Sequence, residues 1–220
     1  RGRGLGGSGA INAMVYVRGH RDDFDDWQRA GATGWGFDDV LPYFKKIESH
    51  SLGDNFYHST GGNIGITNMQ KEAHSTCGNF ISACVENGMQ INEDFNGEDI
   101  CGTGVYEANI SHGQRASSAS TYLKKAKNRK NLSIKTHTRV KQILFENNQA
   151  IGVVAMRKGR QVSYNANKEV ILAAGAIDSP KLLQLSGVGE ESGLNKLGIN
   201  VVNNLPAVGK NLQDHVCGGF

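Results

Sequence analysis

Five glycines fall within the first nine residues, in the stretch RGRGLGGSGAIN, and Gly2, Gly4 and Gly7 spell G-x-G-x-x-G. Glycines this dense do not belong inside a helix or strand, because each loosens the backbone and offers no side chain to pack. They fit a loop in which the chain enters left-handed backbone or lies close against a bulky ligand. Two readings compete. A dinucleotide-binding turn needs an apolar strand before the first glycine, a helix after the third and an acid about 20 residues further on. Asp22 and Asp23 satisfy the acid, but only Arg1 precedes Gly2 and the strand is missing. A generic glycine-rich loop is the alternative.

Helix and strand signals follow in mixed order. RDDFDDWQRA reads as a helix, acidic at its start as the helix dipole prefers. Asp38 reads as the N-cap of DDVLPYFKKIESH, with Val40, Leu41, Phe44 and Ile47 on one face and Pro42 in the first turn. The Gly-, Ser-, Asn- and His-rich stretch 49–62 is a loop, GNIGITN a strand, and HSTCGNFISACVENGM a helix closed by Gly88. TGVYEANIS reads as a strand and SSASTYLKKAKNR as a helix. LSIKTHT, RVKQILFE, AIGVVAMR and QVSYNA are short strands, the last three separated by NNQ and KGR turns. NKEVILAAGAI, continuous in Val170, Ile171, Leu172, Ala173 and Ala174, has the pattern of a parallel strand buried on both faces. The helix SPKLLQLSG follows, with Pro180 near its N1 position.

Charge excludes some function classes. A net charge of +3 with 20 % charged residues gives no nucleic-acid patch, and the KNRK run at 127–130 reads as a solvated loop. No run approaches about 20 apolar residues, so no membrane span is predicted. Cys77, Cys84, Cys101 and Cys217 have neither C-x-x-C spacing nor a metal-ligand pattern, and read as buried thiols of a reducing compartment. No metal site is predicted. Asn109 and Asn131 open N-x-S triplets of the kind that arise often by chance.

Two longer stretches go further. GRGLGGSGAIN, running on to Tyr16 and Gly19, and GAIDSPKLLQLSGVG at 175–189 resemble the two signatures of the glucose–methanol–choline (GMC) flavoprotein oxidoreductases. MVYVRGH, GWGFDDVLPYF and LPAVGKNLQDH are further family-like stretches in the right order. The resemblance implies a mixed α/β (α+β overall) fold: part of an FAD-binding Rossmann-like domain with part of an antiparallel-sheet substrate domain. By the same resemblance, 1–17 is the flavin-contacting loop and 18–60 the lid and connecting helices. Residues 61–125 would be part of the substrate domain, and 126–220 the second part of the FAD domain. The ADP-binding turn is expected before Arg1 and the catalytic segment beyond 220, so these residues alone are expected to bind FAD weakly or not at all.

The resemblance also implies the site residues. Gly4, Gly6, Gly7 and Ser8 would bring open backbone against flavin and pyrophosphate. Asn12 would donate or accept at the flavin edge, and Ala13, Met14 and Val15 would pass beneath the ring. Val140, in KTHTRVKQI, matches the valine whose backbone meets adenine; Ala174 and Gly175 let a cofactor sit at a strand's carboxyl end. Ile11 stands where the covalent subgroup has a histidine, which implies non-covalent FAD. None of His20, His50, His58, His74, His112, His137 and His215 matches the family's catalytic histidine, so no catalytic residue is expected in this chain.

What the resemblance implies chemically is an FAD-dependent alcohol dehydrogenase or oxidase. A base takes the alcohol proton while a hydride passes from the carbinol carbon to flavin N5. The stretches MVYVRGH and VGKNLQDH resemble the choline- and alcohol-dehydrogenase-like branch, so a primary alcohol, choline or aliphatic, is the expected substrate. A sugar dehydrogenase is the alternative within the family. A nicotinamide-dependent reductase and a non-catalytic α/β remnant are the alternatives outside it. The electron acceptor (a quinone, a respiratory chain or oxygen) is left open, and so is a cytoplasmic or membrane-peripheral location.

Overall fold

A computed structural model describes residues 1–214, and the chain divides into two compact units, Arg1–Ser133 and Ile134–Phe220. The histidine at 215 and the cysteine at 217 lie outside the described residues.

In the first unit a 3-10 turn, Gly7–Ala10, leads into strand β1 (Val15–Tyr16). Helices α1 (Arg21–Arg29) and α2 (Phe37–Ile47) come next, then strands β2 (Glu48–His50) and β3 (Ile64–Asn68). Helix α3 (Ser75–Glu86) precedes β4 (Glu107–Ala108), and β5 (Ile110–Ser111) and β6 (Gln114–Arg115) form a hairpin. A π-turn at Ala119–Leu123 runs into the short helix α4 (Lys124–Ala126). One four-stranded sheet, ordered β1-β4-β3-β2, gathers strands from three separate stretches of chain; only the β2–β3 pair is parallel. Beside it Phe24, Phe37 and Leu41 form a small core joined by Val40, Phe44 and Tyr57.

The helix starts show how local chemistry sets boundaries. The His20 side chain caps α1 by accepting the Asp22 N–H, while the Asp23 carboxylate accepts the His20 N–H. Helix α2 begins at Phe37, with Gly36 and not Asp38 as N-cap. The reason lies in α1: Asp25 accepts the Phe37 N–H and Gln28 the Gly36 N–H, so side chains from a neighbouring helix satisfy the orphan donors. Asp38 instead pairs with Arg21. Pro42 therefore lies in the second turn of α2, not the first. The stretch 49–62 contributes its first two residues to β2 before it becomes loop.

The second unit holds an antiparallel meander of β7 (Thr138–Glu146), β8 (Gln149–Arg157) and β9 (Arg160–Asn165). Its turns carry left-handed φ at Asn147 and Asn148, and at Lys158 and Gly159, as tight hairpin turns require. Helix α5 (Gly175–Leu185), strand β10 (Val188–Gly189), helix α6 (Glu191–Lys196) and strand β11 (Asn203–Asn204) complete it; β10 and β11 pair in parallel.

Four expectations change here. LSIKTHT forms no strand before Thr138, and VILAA forms none at all, with Ile171 80 % exposed. An apolar run becomes a strand only when a neighbour supplies the ladder, and the described residues supply none to either stretch. Helix α5 begins at Gly175, which places Pro180 in its interior rather than near N1. The described cysteines are not buried: Cys101 is exposed in a loop, and α3, which carries the exposed Cys77 and the half-buried Cys84, buries none of its residues.

One buried hydroxyl ties α5 to the meander. Ser186 Oγ accepts the Ile143 N–H at 2.8 Å and donates to the Leu182 carbonyl, with Ser186 only 2 % exposed. Ser186→Ala leaves a buried N–H without an acceptor and should cost about 1–3 kcal/mol. Urea unfolding of the two proteins checks this, and equal midpoints would contradict it.

Candidate functional site

The glycine loop is shaped by a few contacts. Gly6 and Gly7 take φ of +91° and +55°, and Met14 takes +67°. The Gly7 N–H closes a turn on the Gly4 carbonyl, and Ser8 accepts the Ile11 and Asn12 N–H groups through its carbonyl. Ser8 Oγ accepts the Gly2 N–H. The five glycines fall into two groups. A Cβ on Gly2 would lie 2.0 Å from the Gly7 carbonyl oxygen, and one on Gly6 would press on Ala119. A Cβ on Gly4, Gly7 or Gly9 would meet nothing. Gly2 and Gly6 thus let the loop fold on itself, while Gly4, Gly7 and Gly9 leave one side of it bare.

That bare side suits a flat ligand. Gly4, Ser8, Asn12, Ala13 and Val15 are exposed, and among the described residues the Ala13 N–H makes no hydrogen bond. Beside the loop, Gly6, Ala119, Tyr122, Leu123, Ala126 and Leu132 line an apolar concavity. The sequence motif thus becomes a single exposed platform over 4–15. Val140, Ala174 and Gly175 belong to the second unit. Val140 is 38 % exposed on β7 and pairs with Ala155 next to a bulge. Ala174 caps α5, its N–H donating to Ser179 Oγ, and Gly175 follows with φ +88°.

The chain leaving the platform enters a buried charge network that sequence reading missed. Arg18 Nη2 pairs with Glu48 Oε2 at 2.6 Å, both side chains nearly without exposure. The Tyr16 hydroxyl donates to the same oxygen at 2.9 Å. Asn96 accepts the Arg18 N–H at 2.7 Å and donates to the Tyr16 carbonyl and to Glu107. Glu48 Oε1 meets His58 Nδ1 at 3.1 Å, while His58 Nε2 meets Asp94 at 2.9 Å. His50 stacks on His58 with ring centres 3.7 Å apart. Its Nδ1 accepts the Leu52 N–H, which assigns the proton to the Nε2 facing Glu107.

Electrostatics follow from this packing. Burial opposes a charge on His58, but hydrogen bonds to Asp94 and Glu48 outweigh it and push its pKa up to about 9. Burial likewise opposes ionisation of Glu48, yet bonds from His58 and Arg18 hold its pKa at about 2. Burial raises the Tyr16 phenol well above its ordinary range. Glu48, His50 and His58 also bring donor atoms within 4.8 Å of one another, a spacing that suits a metal. Every one of those atoms is already spoken for, and a cation there would displace the Arg18 guanidinium or the His58 proton. The arrangement is a charge network with an internal cation.

The other described histidines have local roles. His20 and His74 cap α1 and α3, and His112 and His137 adopt left-handed φ. The one available sequence signal for the network was Arg18, a charge directly after the alternating strand residues V-Y-V. For Arg115, Ser117 and Ala119, which meet the glycine loop from about a hundred residues away, no local signal existed.

The family described as GMC oxidoreductase matches residues 1–217. The human mitochondrial choline dehydrogenase is 44 % identical over 216 residues, covering 98 % of this chain and 36 % of that protein. An alcohol dehydrogenase [acceptor] of Pseudomonas putida is 42 % identical over 98 % of this chain and 40 % of its own length. The chain thus spans well under half the length of these relatives. Among solved structures, an FAD-dependent oxidoreductase from Chaetomium thermophilum superposes with a TM-score of 0.86 at 31 % identity, covering 91 % of this chain and 37 % of that one. A pyridoxine 4-oxidase from Mesorbium loti gives 0.84 at 33 %, covering 89 % and 39 %.

The network makes stability depend on pH. A raised His58 pKa contributes fully below its ordinary value of 6.5 and is lost as pH climbs through about 9. The depressed Glu48 contributes above 4.5 and is lost as pH falls towards about 2. The melting temperature should therefore decline between pH 6.5 and about 9, and His58→Gln should lower it at pH 6.5 and flatten the decline. Parallel pH profiles for the two proteins would contradict this.

Proposed function

The chain belongs to the GMC oxidoreductase family, and on that premise we propose that it forms the flavin-facing part of an FAD-dependent oxidoreductase acting on the CH–OH group of a primary alcohol. The observation that supports this most is the platform at 4–15. Its glycines are bare where a Cβ would block a flat ring, and its Ala13 N–H is unpaired. Gly4, Gly6, Gly7 and Ser8 bring backbone against the cofactor, Asn12 lies at its edge, and 13–15 run beneath it. In the second unit Val140 would meet the adenine end, and Ala174 and Gly175 would leave room at the start of α5.

Bound FAD supplies a two-electron acceptor for the hydride of the carbinol carbon. The protein's part is to hold that acceptor in one pose. The strand leaving the platform is tied down through Tyr16, Arg18 and Asn96, so 13–15 cannot drift from the ring without breaking buried bonds. We assign no general base among these residues. Among the described residues the buried histidines His50 and His58 have both ring nitrogens engaged, His58 with Glu48 and Asp94, and His50 with Glu107 and the Leu52 N–H.

Choline or an aliphatic alcohol is the substrate we favour, because relatives that match nearly this whole chain are named choline dehydrogenases and an alcohol dehydrogenase. The longest reading frame containing these residues, expressed and purified, should be yellow with absorption near about 450 nm, and choline or an alkanol should bleach it without air. A colourless folded protein would overturn the cofactor reading; a yellow one bleached only by a sugar would overturn the substrate reading. FAD attachment is non-covalent in this reading, since Ile11 offers no nucleophile. Acid precipitation should then release the colour into the supernatant, and a yellow pellet would contradict it.

A further inference from the structure

Asn12 is exposed at the centre of the platform, and its amide is not free to turn. Its Oδ1 accepts from Arg115 Nη1 at 2.6 Å and from the Met14 N–H at 3.2 Å. Both partners are donors only, since neither a guanidinium nor a peptide N–H accepts a hydrogen bond. Rotating the amide by half a turn would set its NH2 against both. The two contacts therefore fix which end of the amide is which. Nδ2 is the end left over, and among the described residues it donates to nothing.

Arg115 is well built for this task. It belongs to β6, in register with Ile110, and its carbonyl accepts Ser120 Oγ at 2.9 Å. The same Nη1 approaches the Gly9 carbonyl at 3.4 Å, so one guanidinium holds both the 3-10 turn and Asn12, two residues beyond it. Just past Arg115, Ser117 and Ala119 lie against Gly6. A hairpin distant in sequence thus forms the underside of the platform.

We propose that Arg115 is a positioning residue of the flavin site, locking the Asn12 amide so that its NH2, and not its carbonyl, faces the bound cofactor. The inference rests on the cofactor reading given above and deepens it, replacing "donate or accept" by donation alone. The NH2 joins the Ala13 N–H as a second donor on the bare side of the loop. Donors of this kind favour a ring that carries more negative charge, so they favour its reduced form. Without Arg115 the amide is held by Met14 alone and its opposite orientation becomes accessible.

The test uses the full-length flavoprotein and reads FAD affinity and flavin midpoint potential, with no turnover needed. Arg115→Ala and Asn12→Ala should each weaken FAD binding by about tenfold and lower the midpoint potential. The double variant should be no worse than Asn12→Ala alone, because Arg115 acts through Asn12. Arg115→Lys keeps a donor that cannot accept, and should restore most of the potential; it also serves where Arg115→Ala does not fold. An additive double variant, or a yellow Arg115→Ala protein showing the wild-type potential beside a shifted Asn12→Ala, would overturn the inference alone. A Lys variant with a potential as low as Asn12→Ala would overturn it too. Wild-type protein that folds but holds no flavin would overturn the functional reading on which it rests, and the inference with it.

Discussion

The buried ion pair between Arg18 and Glu48 is the interaction on which the first unit turns. Two charges removed from water cost several kcal/mol each unless their remaining donors and acceptors are met. Here Tyr16, His58 and Ser59 complete the Glu48 carboxylate, and the Tyr57 carbonyl takes an Arg18 Nη1 proton, while Arg18 Nε is left without a partner. The pair is therefore affordable only in one arrangement of four chain segments, and loss of either partner would strand the other. Such a pair adds little net stability over an apolar equivalent; its effect is to exclude alternative packings.

That specificity reaches the functional surface through geometry. Arg18 sits two residues beyond β1, and β1 begins where the platform ends. The backbone of Arg18 and Tyr16 is clamped by Asn96, whose own amide is held by Glu107. The opposite side of the platform is fixed by Arg115 on Asn12 and by Ala119 under Gly6. A loop rich in glycine has a large conformational entropy to lose. Distributing its restraints between a buried network at one end and a hairpin beneath it makes that loss unnecessary at the moment of binding, which is how a flexible composition yields a preorganised surface.

How much of this could be read from the residues follows from the range of each interaction. Helices α1 and α3 and the meander were legible, because caps, periodicity and the Asn147–Asn148 and Lys158–Gly159 turns act within a few residues. The glycine platform was legible as a motif. The start of α2 was not, since Asp25 and Gln28 of another helix fix it. VILAA has the composition of a buried strand, but composition cannot supply a hydrogen-bonding neighbour. The charge network, signalled only by Arg18 itself, and the role of Arg115 were not legible for the same reason: Arg18 meets Asn96 across 78 residues, and Arg115 meets Asn12 across 103. Nothing in a Ser- and Gly-rich stretch marks His58 as the buried cation.

The role proposed for 4–15 is that of a preformed surface for the flavin, held from below. Backbone amide exchange in the full-length protein, measured with FAD bound and after its removal, tests it most directly. The Tyr16 and Arg18 amides should be slow in both states, while the Ala13 amide should be fast without FAD and slow with it. Fast exchange at Arg18 in the apoprotein would show that the cofactor builds the platform instead of meeting it. An Ala13 amide unaffected by FAD would place the flavin elsewhere.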